Sequence, residues 1–187
     1  MDFSKLMPLF RRLALEAGER ILQVYESPDF QVRTKSDASP VTEADEAADA
    51  VISAGLRAAF PDVALITEEQ AASHALTAST FFIVDPLDGT KEFVQRRGDF
   101  TVNIAYVQNG VPTHGIVYAP AKGRLFYTLP DGQAVEETGP FGPEPGPLEP
   151  LRVSTPDNAA LMVVASKSHR DQATDDYISR YAVRDMT

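Results

Sequence analysis

Residues 81–93 read Phe-Phe-Ile-Val-Asp-Pro-Leu-Asp-Gly-Thr-Lys-Glu-Phe, and the rest of the chain is organised around them. The four apolar residues at the start favour β-structure and predict a buried strand. The Asp-Pro and Asp-Gly dipeptides that follow are typical of turns. Gly89-Thr90 then opens a short helix, predicted over residues 90–97 and ended by Gly98. The segment therefore predicts a strand, a turn and a helix in direct succession.

Two carboxylates, Asp85 and Asp88, lie within this turn. Because a proline fixes the backbone between them, both side chains can point into one small volume. The carbonyl of Leu87 lies between them as a third oxygen. Hard divalent cations such as Mg²⁺ bind to oxygen ligands of this kind, usually one or two carboxylates together with phosphate and water. The turn therefore predicts a magnesium site.

The start of the predicted helix offers a second feature. The N–H groups of Gly89, Thr90 and Lys91 lie at a helix N-terminus, where an anion is favoured. Metal and phosphate would then meet at one point. The isolated pattern Asp-Pro-x-Asp-Gly is equally typical of an ordinary strand-ending turn, so these residues alone leave both interpretations open.

Composition narrows the class of protein. The 187 residues are 43% hydrophobic, enough for one domain with a substantial core. A net charge of −10 and the lack of a Lys/Arg run argue against nucleic-acid binding. The sequence contains no cysteine, which excludes disulfides and thiolate metal sites. No apolar run approaches the roughly 18 residues of a membrane span, and no signal-peptide pattern is present, so we expect a soluble cytoplasmic protein.

Two N-terminal helices are predicted. Apolar residues recur at three- and four-residue steps over residues 6–25, and Pro8 is tolerable only near the start of such a helix. A second helix begins at Thr42, which has capping-box spacing to Asp45. An acid in the first turn also complements the helix dipole. The local context of Asp45 therefore explains it structurally, and a functional role stays open.

Strands follow the second helix. Residues 63–67 predict one strand, and the Glu68-Glu69 pair at its end is of a kind usually solvated. Two runs in which apolar and polar residues alternate flank Asn109-Gly110 and predict a hairpin over residues 100–119. A second hairpin is predicted around Asp131-Gly132. Residues 139–150 contain five prolines and three glycines and indicate a surface loop, called the excursion below. Residues 151–154 predict a strand that returns from it.

The run Asp85-Pro86-Leu87-Asp88-Gly89-Thr90 resembles the signature of the inositol-monophosphatase superfamily of magnesium-dependent, lithium-sensitive phosphatases. Its continuation, residues 91–94 and 98–105, looks most like the 3'(2'),5'-bisphosphate nucleotidase branch of that superfamily. The resemblance extends from about residue 5 to the last residue.

The resemblance implies a role for each of several residues. The ligands of two or three Mg²⁺ ions would be Glu68, Asp85, Asp88 and the Leu87 carbonyl. The catalytic group would be Glu68, Asp45 and Thr90, the last two orienting or deprotonating the attacking water. The substrate contacts would be Asp88, Gly89, Thr90, Lys91 and His169, the last within Ser166-Lys167-Ser168-His169, which resembles the family's Ser-Arg-Ser-His.

The same resemblance implies hydrolysis of a phosphate monoester by metal-activated water. The favoured substrate is 3'-phosphoadenosine 5'-phosphate, a by-product of sulfate activation, converted to AMP and phosphate. Inositol monophosphates and fructose 1,6-bisphosphate are alternatives, as is a non-catalytic metal- and phosphate-binding module. An enzyme that acts on a small-molecule phosphate monoester is expected in the cytoplasm. The resemblance is also compatible with peripheral association of the protein with the inner face of the membrane. Paired N-terminal helices also offer a surface for a homodimer.

The implied fold is a layered α+β sandwich, with two N-terminal helices against a largely antiparallel sheet. We expect a metal- and phosphate-binding domain over residues 1–150 and the start of a C-terminal α/β domain over residues 151–187. Family members carry a further Trp-Asp-x-Ala-Ala-type motif that completes the metal site, whereas this sequence contains no tryptophan. We therefore expect a truncated chain that exposes apolar surface, binds metal poorly and turns over slowly.

Overall fold

The computed structural model describes residues 1–34, 40–166 and 170–186. Two compact units are present, Met1–Leu151 and Arg152–Thr187. Within the described ranges, no helix combines the length and the apolar character needed to cross a membrane.

The helices are α1 Phe3–Tyr25, α2 Glu43–Ala59, α3 Thr90–Val94 and α4 Gln172–Ile178, with 3₁₀ turns at Ala71–Ala75 and Pro120–Lys122. The strands are β1 Val32–Thr34, β2 Pro40–Thr42, β3 Ala64–Thr67, β4 Phe81–Asp88, β5 Thr101–Gln108, β6 Val111–Ala119, β7 Arg124–Thr128, β8 Ala134–Thr138, β9 Leu148–Pro150, β10 Leu161–Val163 and β11 Val183–Met186.

The first unit is built on a seven-stranded sheet in the order β3-β4-β5-β6-β7-β8-β9. Only the β3–β4 pair is parallel, because a long connection returns the chain from one end of the sheet to the other. The remaining pairs are antiparallel, and most are closed by short turns. Outside this sheet, β1 pairs with β2, and in the second unit β10 pairs in parallel with β11.

Helices α1 and α2 pack against each other and against one face of the sheet. The ring of Phe82 lies at the centre of this layer, with ring centroids 5.7 Å from Phe10, 5.7 Å from Phe60 and 5.6 Å from Tyr106. Side chains alternate along β4, so Phe82 is fully buried whereas Ile83 on the opposite face is 45% exposed. The core therefore lies between the helices and one side of the sheet.

Both N-terminal helices are capped, although α1 starts earlier than predicted. The Asp2 side chain accepts a hydrogen bond from the N–H of Ser4, so the helix begins at Phe3 and Pro8 lies in its second turn. The predicted capping box of α2 is confirmed: the Thr42 side chain accepts from the backbone, and Asp45 Oδ2 accepts from the Thr42 N–H at 2.8 Å.

A buried ion pair ties the Pro/Gly-rich excursion to α1. Arg11 and Glu137 are 5% and 1% exposed and form two hydrogen bonds of 2.6 and 2.8 Å. The same guanidinium donates to the carbonyls of Gly142 and Pro143, at 3.0 and 3.2 Å. Glu137 also accepts from the N–H of Gly146 at 2.9 Å. Charge-assisted bonds therefore hold a segment that has few backbone partners of its own.

Other predicted boundaries were also wrong: β4 continues to Asp88, beyond the predicted residues 81–84. The returning strand is Leu148–Pro150, where the backbone pairs with β8, whereas the predicted residues 151–154 lie outside any strand. Helix α3 ends at Val94, and Arg96 already has a left-handed backbone, with φ 57. That conformation is held because Arg96 donates to the carbonyl of Ser27 at 2.6 Å and lies 4.6 Å from the ring centre of Phe30.

Candidate active site

Parallel pairing places two of the predicted metal ligands side by side. In the β3–β4 register Thr67 stands opposite Val84, and the N–H of Glu68 donates to the carbonyl of Val84 at 3.1 Å. The next residues along the chain, Glu68 and Asp85, therefore lie side by side at the point where the β3–β4 pairing ends. The Glu68 carboxyl is close enough to contribute to raising the pKa of Asp85, after the larger effect of burial.

A β-bulge shapes the rest of the predicted turn. Asp85 pairs with Asn103 and Asp88 with Thr101, so two residues of β4 stand against one residue of β5. The bulge accommodates Pro86, which has no N–H to donate to the ladder. Leu87 is 1% exposed, yet its carbonyl accepts a hydrogen bond from Thr90 Oγ1 at 3.1 Å. The carbonyl thus faces the site while the side chain packs in the core.

Asp85 occupies a partly buried, acidic environment. Burial, assisted by the charges of Glu68 and Asp88, raises the pKa of Asp85 to about 8. Its Oδ1 atom is buried and has no hydrogen-bond partner. A buried oxygen without a partner, in a group of acidic oxygen donors, fits a hard divalent cation such as Mg²⁺.

Asp88 completes the group of three carboxylates. It is exposed, and its Oδ2 accepts from Asn103 Nδ2 at 3.2 Å. Within the described residues, no three His, Cys, Asp or Glu side chains form a preassembled metal cage. Mg²⁺ is commonly held by only one or two carboxylates, with water and phosphate as its other ligands. The three neighbouring carboxylates are compatible with that mode of binding.

Thr90 connects the turn to helix α2. Its Oγ1 lies 3.1 Å from Asp45 Oδ1 and 3.1 Å from the carbonyl of Leu87. Asp45 is 1% exposed, and its Oδ2 accepts from Thr42. Burial raises the pKa of Asp45, against the lowering effect of the hydrogen bonds from Thr42 and Thr90. One carboxylate therefore both completes the predicted capping box of α2 and accepts a hydrogen bond from Thr90.

The predicted anion site is smaller than a full helix N-terminus. Helix α3 has five residues, so its dipole is weak. The N–H groups of Gly89 and Thr90 precede the first intrahelical bond, from the Phe93 N–H to the Gly89 carbonyl at 2.9 Å, and are therefore not used within the helix. Lys91 is half-buried at the same end.

Several predicted site residues are brought together at this edge of the sheet, and one cannot be placed. The residues that meet there are Asp45, Glu68, Asp85, Leu87, Asp88, Gly89, Thr90 and Lys91. His169 lies outside the described residues. Sequence reasoning missed Asn103, although a polar residue between Val102 and Ile104 is a usable signal; its pairing with Asp85 is seen only in the structure.

Gly89 is expected to tolerate no side chain. Its φ is 90, and a Cβ atom there would lie 2.7 Å from the backbone carbonyl oxygen of Asp99. We expect Gly89→Ala to lower the free energy of unfolding by about 1–3 kcal/mol, because it strains the backbone between Asp88 and Thr90. Urea denaturation measures this, with Gly132→Ala (φ 87, no neighbour within 4 Å) as the control for strain alone. An equal loss in both variants would contradict a role for the Asp99 contact.

The chain is similar to proteins of one known group. Residues 2–186 match the Inositol monophosphatase family. The chain is 39% identical to the 3'(2'),5'-bisphosphate nucleotidase CysQ of Escherichia coli K12 over 179 residues, which are 94% of this chain and 69% of that protein. The CysQ of Buchnera aphidicola is 33% identical over 95% of this chain and 65% of that protein.

Solved structures agree with these matches. A crystal structure of CysQ from Bacteroides thetaiotaomicron, a bacterial member of the inositol monophosphatase family, matches with a TM-score of 0.75 at 34% identity and covers 98% of this chain and 72% of that chain. A staphylococcal inositol monophosphatase-1 matches with a TM-score of 0.76 at 18% identity, over 100% of this chain and 67% of that chain, and shows the fold alone. The predicted α+β sandwich with a mainly antiparallel sheet is confirmed.

Proposed function

This chain belongs to the inositol monophosphatase family, and on that premise we propose that it hydrolyses the phosphate monoester of a 3'(2'),5'-bisphosphate nucleotide. The observation that carries the proposal is the 39% identity to E. coli CysQ over 94% of the chain. The substrate that fits this activity is 3'-phosphoadenosine 5'-phosphate, which would yield AMP and inorganic phosphate.

We assign the metal ligands to the acidic edge of the sheet. Glu68, Asp85, Asp88 and the Leu87 carbonyl would hold Mg²⁺, and the unpartnered Oδ1 of Asp85 supports this assignment. When bound, Mg²⁺ lowers the pKa of a water molecule and neutralises charge on the phosphate. The acidic residues in turn keep the site attractive to cations in a protein whose net charge is −10.

Thr90 and Asp45 would orient the attacking water. The Thr90 hydroxyl has a single proton, which it directs towards Asp45 and the Leu87 carbonyl. Its oxygen lone pairs are therefore left to accept a hydrogen bond from water. Asp45 fixes this orientation from a buried position, and general-base assistance of this type contributes about 10²- to 10⁴-fold to a rate.

The phosphoryl group would lie against the turn between β4 and α3. The N–H groups of Gly89 and Thr90 would donate to phosphoryl oxygens as individual donors, because a five-residue helix provides no strong dipole. Lys91 adds a positive charge at the same end. No covalent phosphoenzyme is required in this arrangement, because water is the nucleophile.

Phosphate release from 3'-phosphoadenosine 5'-phosphate tests the proposal. The chain is assayed with and without Mg²⁺, beside inositol 1-phosphate and fructose 1,6-bisphosphate as competing substrates. We expect Mg²⁺-dependent release that is fastest with the nucleotide and is lost in Asp88→Ala. Asp131→Ala removes a carboxylate from an exposed turn and serves as the matched control. Faster release from either sugar phosphate would overturn the assigned substrate, and release that persists in Asp88→Ala would overturn the assigned site.

A further inference from the structure

We propose that Asp49, in helix α2, is a positioning residue that holds the turn carrying Glu68 in the geometry needed to bind metal. This inference rests on the proposed function of Glu68 as a metal ligand. Asp49 itself does not contact the site residues Asp85, Asp88 or Thr90 in any hydrogen bond of the described structure. Its effect would be transmitted through the turn.

The turn in question spans residues 67–70. The N–H of Gln70 donates to the carbonyl of Thr67 at 3.2 Å, and Glu68 and Glu69 occupy the two central positions. The N–H of Glu68 is bonded across the sheet to Val84. The direction of the Glu68 side chain therefore depends on how firmly the two ends of the turn are held.

Asp49 holds both ends with one carboxylate. Its Oδ1 accepts a short hydrogen bond from Thr67 Oγ1, and its Oδ2 accepts from Gln70 Nε2 at 2.7 Å. Ser53, one helical turn further along α2, donates to the same Oδ1 at 3.2 Å. The first and the last residue of the turn are thus fixed to one rigid helix.

The burial of Asp49 indicates that a carboxylate is needed at this position for more than the stability of the fold. The side chain belongs to a residue that is 6% exposed, and all three donors named above are neutral groups. A buried carboxylate costs free energy, which neutral hydrogen bonds only partly offset. What a carboxylate provides, and an amide does not, is two equivalent acceptor oxygens for the two ends of one turn.

Helix α2 then contacts both Thr90 and the turn that carries Glu68. Asp45 and Asp49 are four residues apart, so they lie on the same face of the helix, one turn apart. Asp45 holds Thr90, the proposed water-orienting group, and Asp49 holds the Glu68 turn. The spacing between the two is therefore set by one helical turn.

Binding of Mn²⁺, a spectroscopic substitute for Mg²⁺, tests the inference without any enzyme assay. We titrate the full chain with Mn²⁺ and follow the free ion by electron paramagnetic resonance. Glu68→Gln is expected to weaken binding, and Asp49→Asn to weaken it by about 10-fold, the lower end of what loss of a supporting contact costs. Ser53→Ala removes the Ser53 contacts to Asp49 and to Gln70 Nε2 but leaves both bonds between Asp49 and the turn in place, so its affinity should stay close to that of the unchanged chain.

The double variant separates positioning from general destabilisation. If Asp49 acts through Glu68, then Asp49→Asn adds no further loss of Mn²⁺ affinity in the Glu68→Gln background. Unchanged affinity in Asp49→Asn, beside weakened binding in Glu68→Gln, overturns this inference and leaves the proposed function intact. Unchanged affinity in Glu68→Gln overturns both.

Amide hydrogen exchange provides a measurement that does not depend on metal affinity. In metal-free Asp49→Asn we expect faster exchange at residues 68–70 and unchanged exchange in α1, which lies outside the turn. Gln70→Ala, which releases one end of the turn from a partly exposed position, should show the same pattern if Asp49→Asn does not fold. Unchanged exchange at residues 68–70 in the folded variants contradicts the inference.

Discussion

Asp85→Asn is expected to lower the rate of Mg²⁺-dependent phosphate release by about 10²- to 10³-fold, the range found when one preorganised group that stabilises transition-state charge is removed. The amide keeps the size of the carboxyl group but removes its negative charge. The buried Oδ1 that has no protein partner would also lose its proposed cation. Phosphate release at saturating nucleotide and Mn²⁺ affinity measure the two effects.

The same substitution should stabilise the protein when no metal is present. Burial, followed by repulsion from Glu68 and Asp88, raises the pKa of Asp85 on folding from the ordinary 3.8 to about 8. Because the folded state binds this proton more tightly than the unfolded state, metal-free stability should fall as the pH rises between these two values. Asp85→Asn should lack that fall and show a higher Tm near pH 8.

Opposite signs in the two measurements distinguish a ligand from a structural residue. Asp131→Asn, in the exposed β7–β8 turn, should change neither phosphate release nor Tm appreciably. A lower Tm together with lower activity in Asp85→Asn would mean that the side chain supports the fold. Unchanged activity would remove Asp85 from the site.

Arg11→Met is expected to destabilise the fold by about 3–5 kcal/mol, because it leaves Glu137 charged, buried and without its ionic partner. The loop carbonyls of Gly142 and Pro143 lose a donor at the same time. For a chain of this size the loss corresponds to a decrease in Tm of roughly 6–20 °C. Thermal unfolding followed by circular dichroism measures it.

Two further variants test the cause of this loss. Arg12→Met removes a neighbouring exposed arginine, paired with Glu16 at 2.8 Å, and should cost less than about 1 kcal/mol. Arg11→Met combined with Glu137→Leu removes both charges and should recover much of the stability. If the Arg11 and Arg12 variants lose the same amount, the buried pair does not hold the excursion in place.

Local patterns were sufficient to predict most strands of the sheet and the capping box that holds Asp45. Asn109 and Gly110 both have positive φ, as a two-residue hairpin turn requires, and the β5–β6 hairpin forms around them as predicted. The start of the strand at Phe81 and the capping box of Asp45 were also readable, because each depends on neighbours only a few residues apart, whereas the residues predicted as a turn, 85–88, continue the strand through a bulge.

The remaining features depend on partners distant in sequence. Arg11 and Glu137 are 126 positions apart, and neither position has a pattern that identifies its partner. The bulge after Asp85 becomes visible only once β5 is placed opposite it. Asp49 looks like any polar residue on a helix until the Thr67 turn is brought against it. No local periodicity carries this information.

The alignment of β3 with β4 also makes the cation site sensitive to the length of either strand. Inserting one residue within β3, before Glu68, or within β4, before Asp85, would displace one carboxylate by about 3.3 Å along the sheet and turn it to the opposite face. Insertions in the connection over residues 71–80 would leave this alignment unchanged. Length variation among related chains is therefore expected in the connection and not in the two strands, whatever substitutions those strands accept.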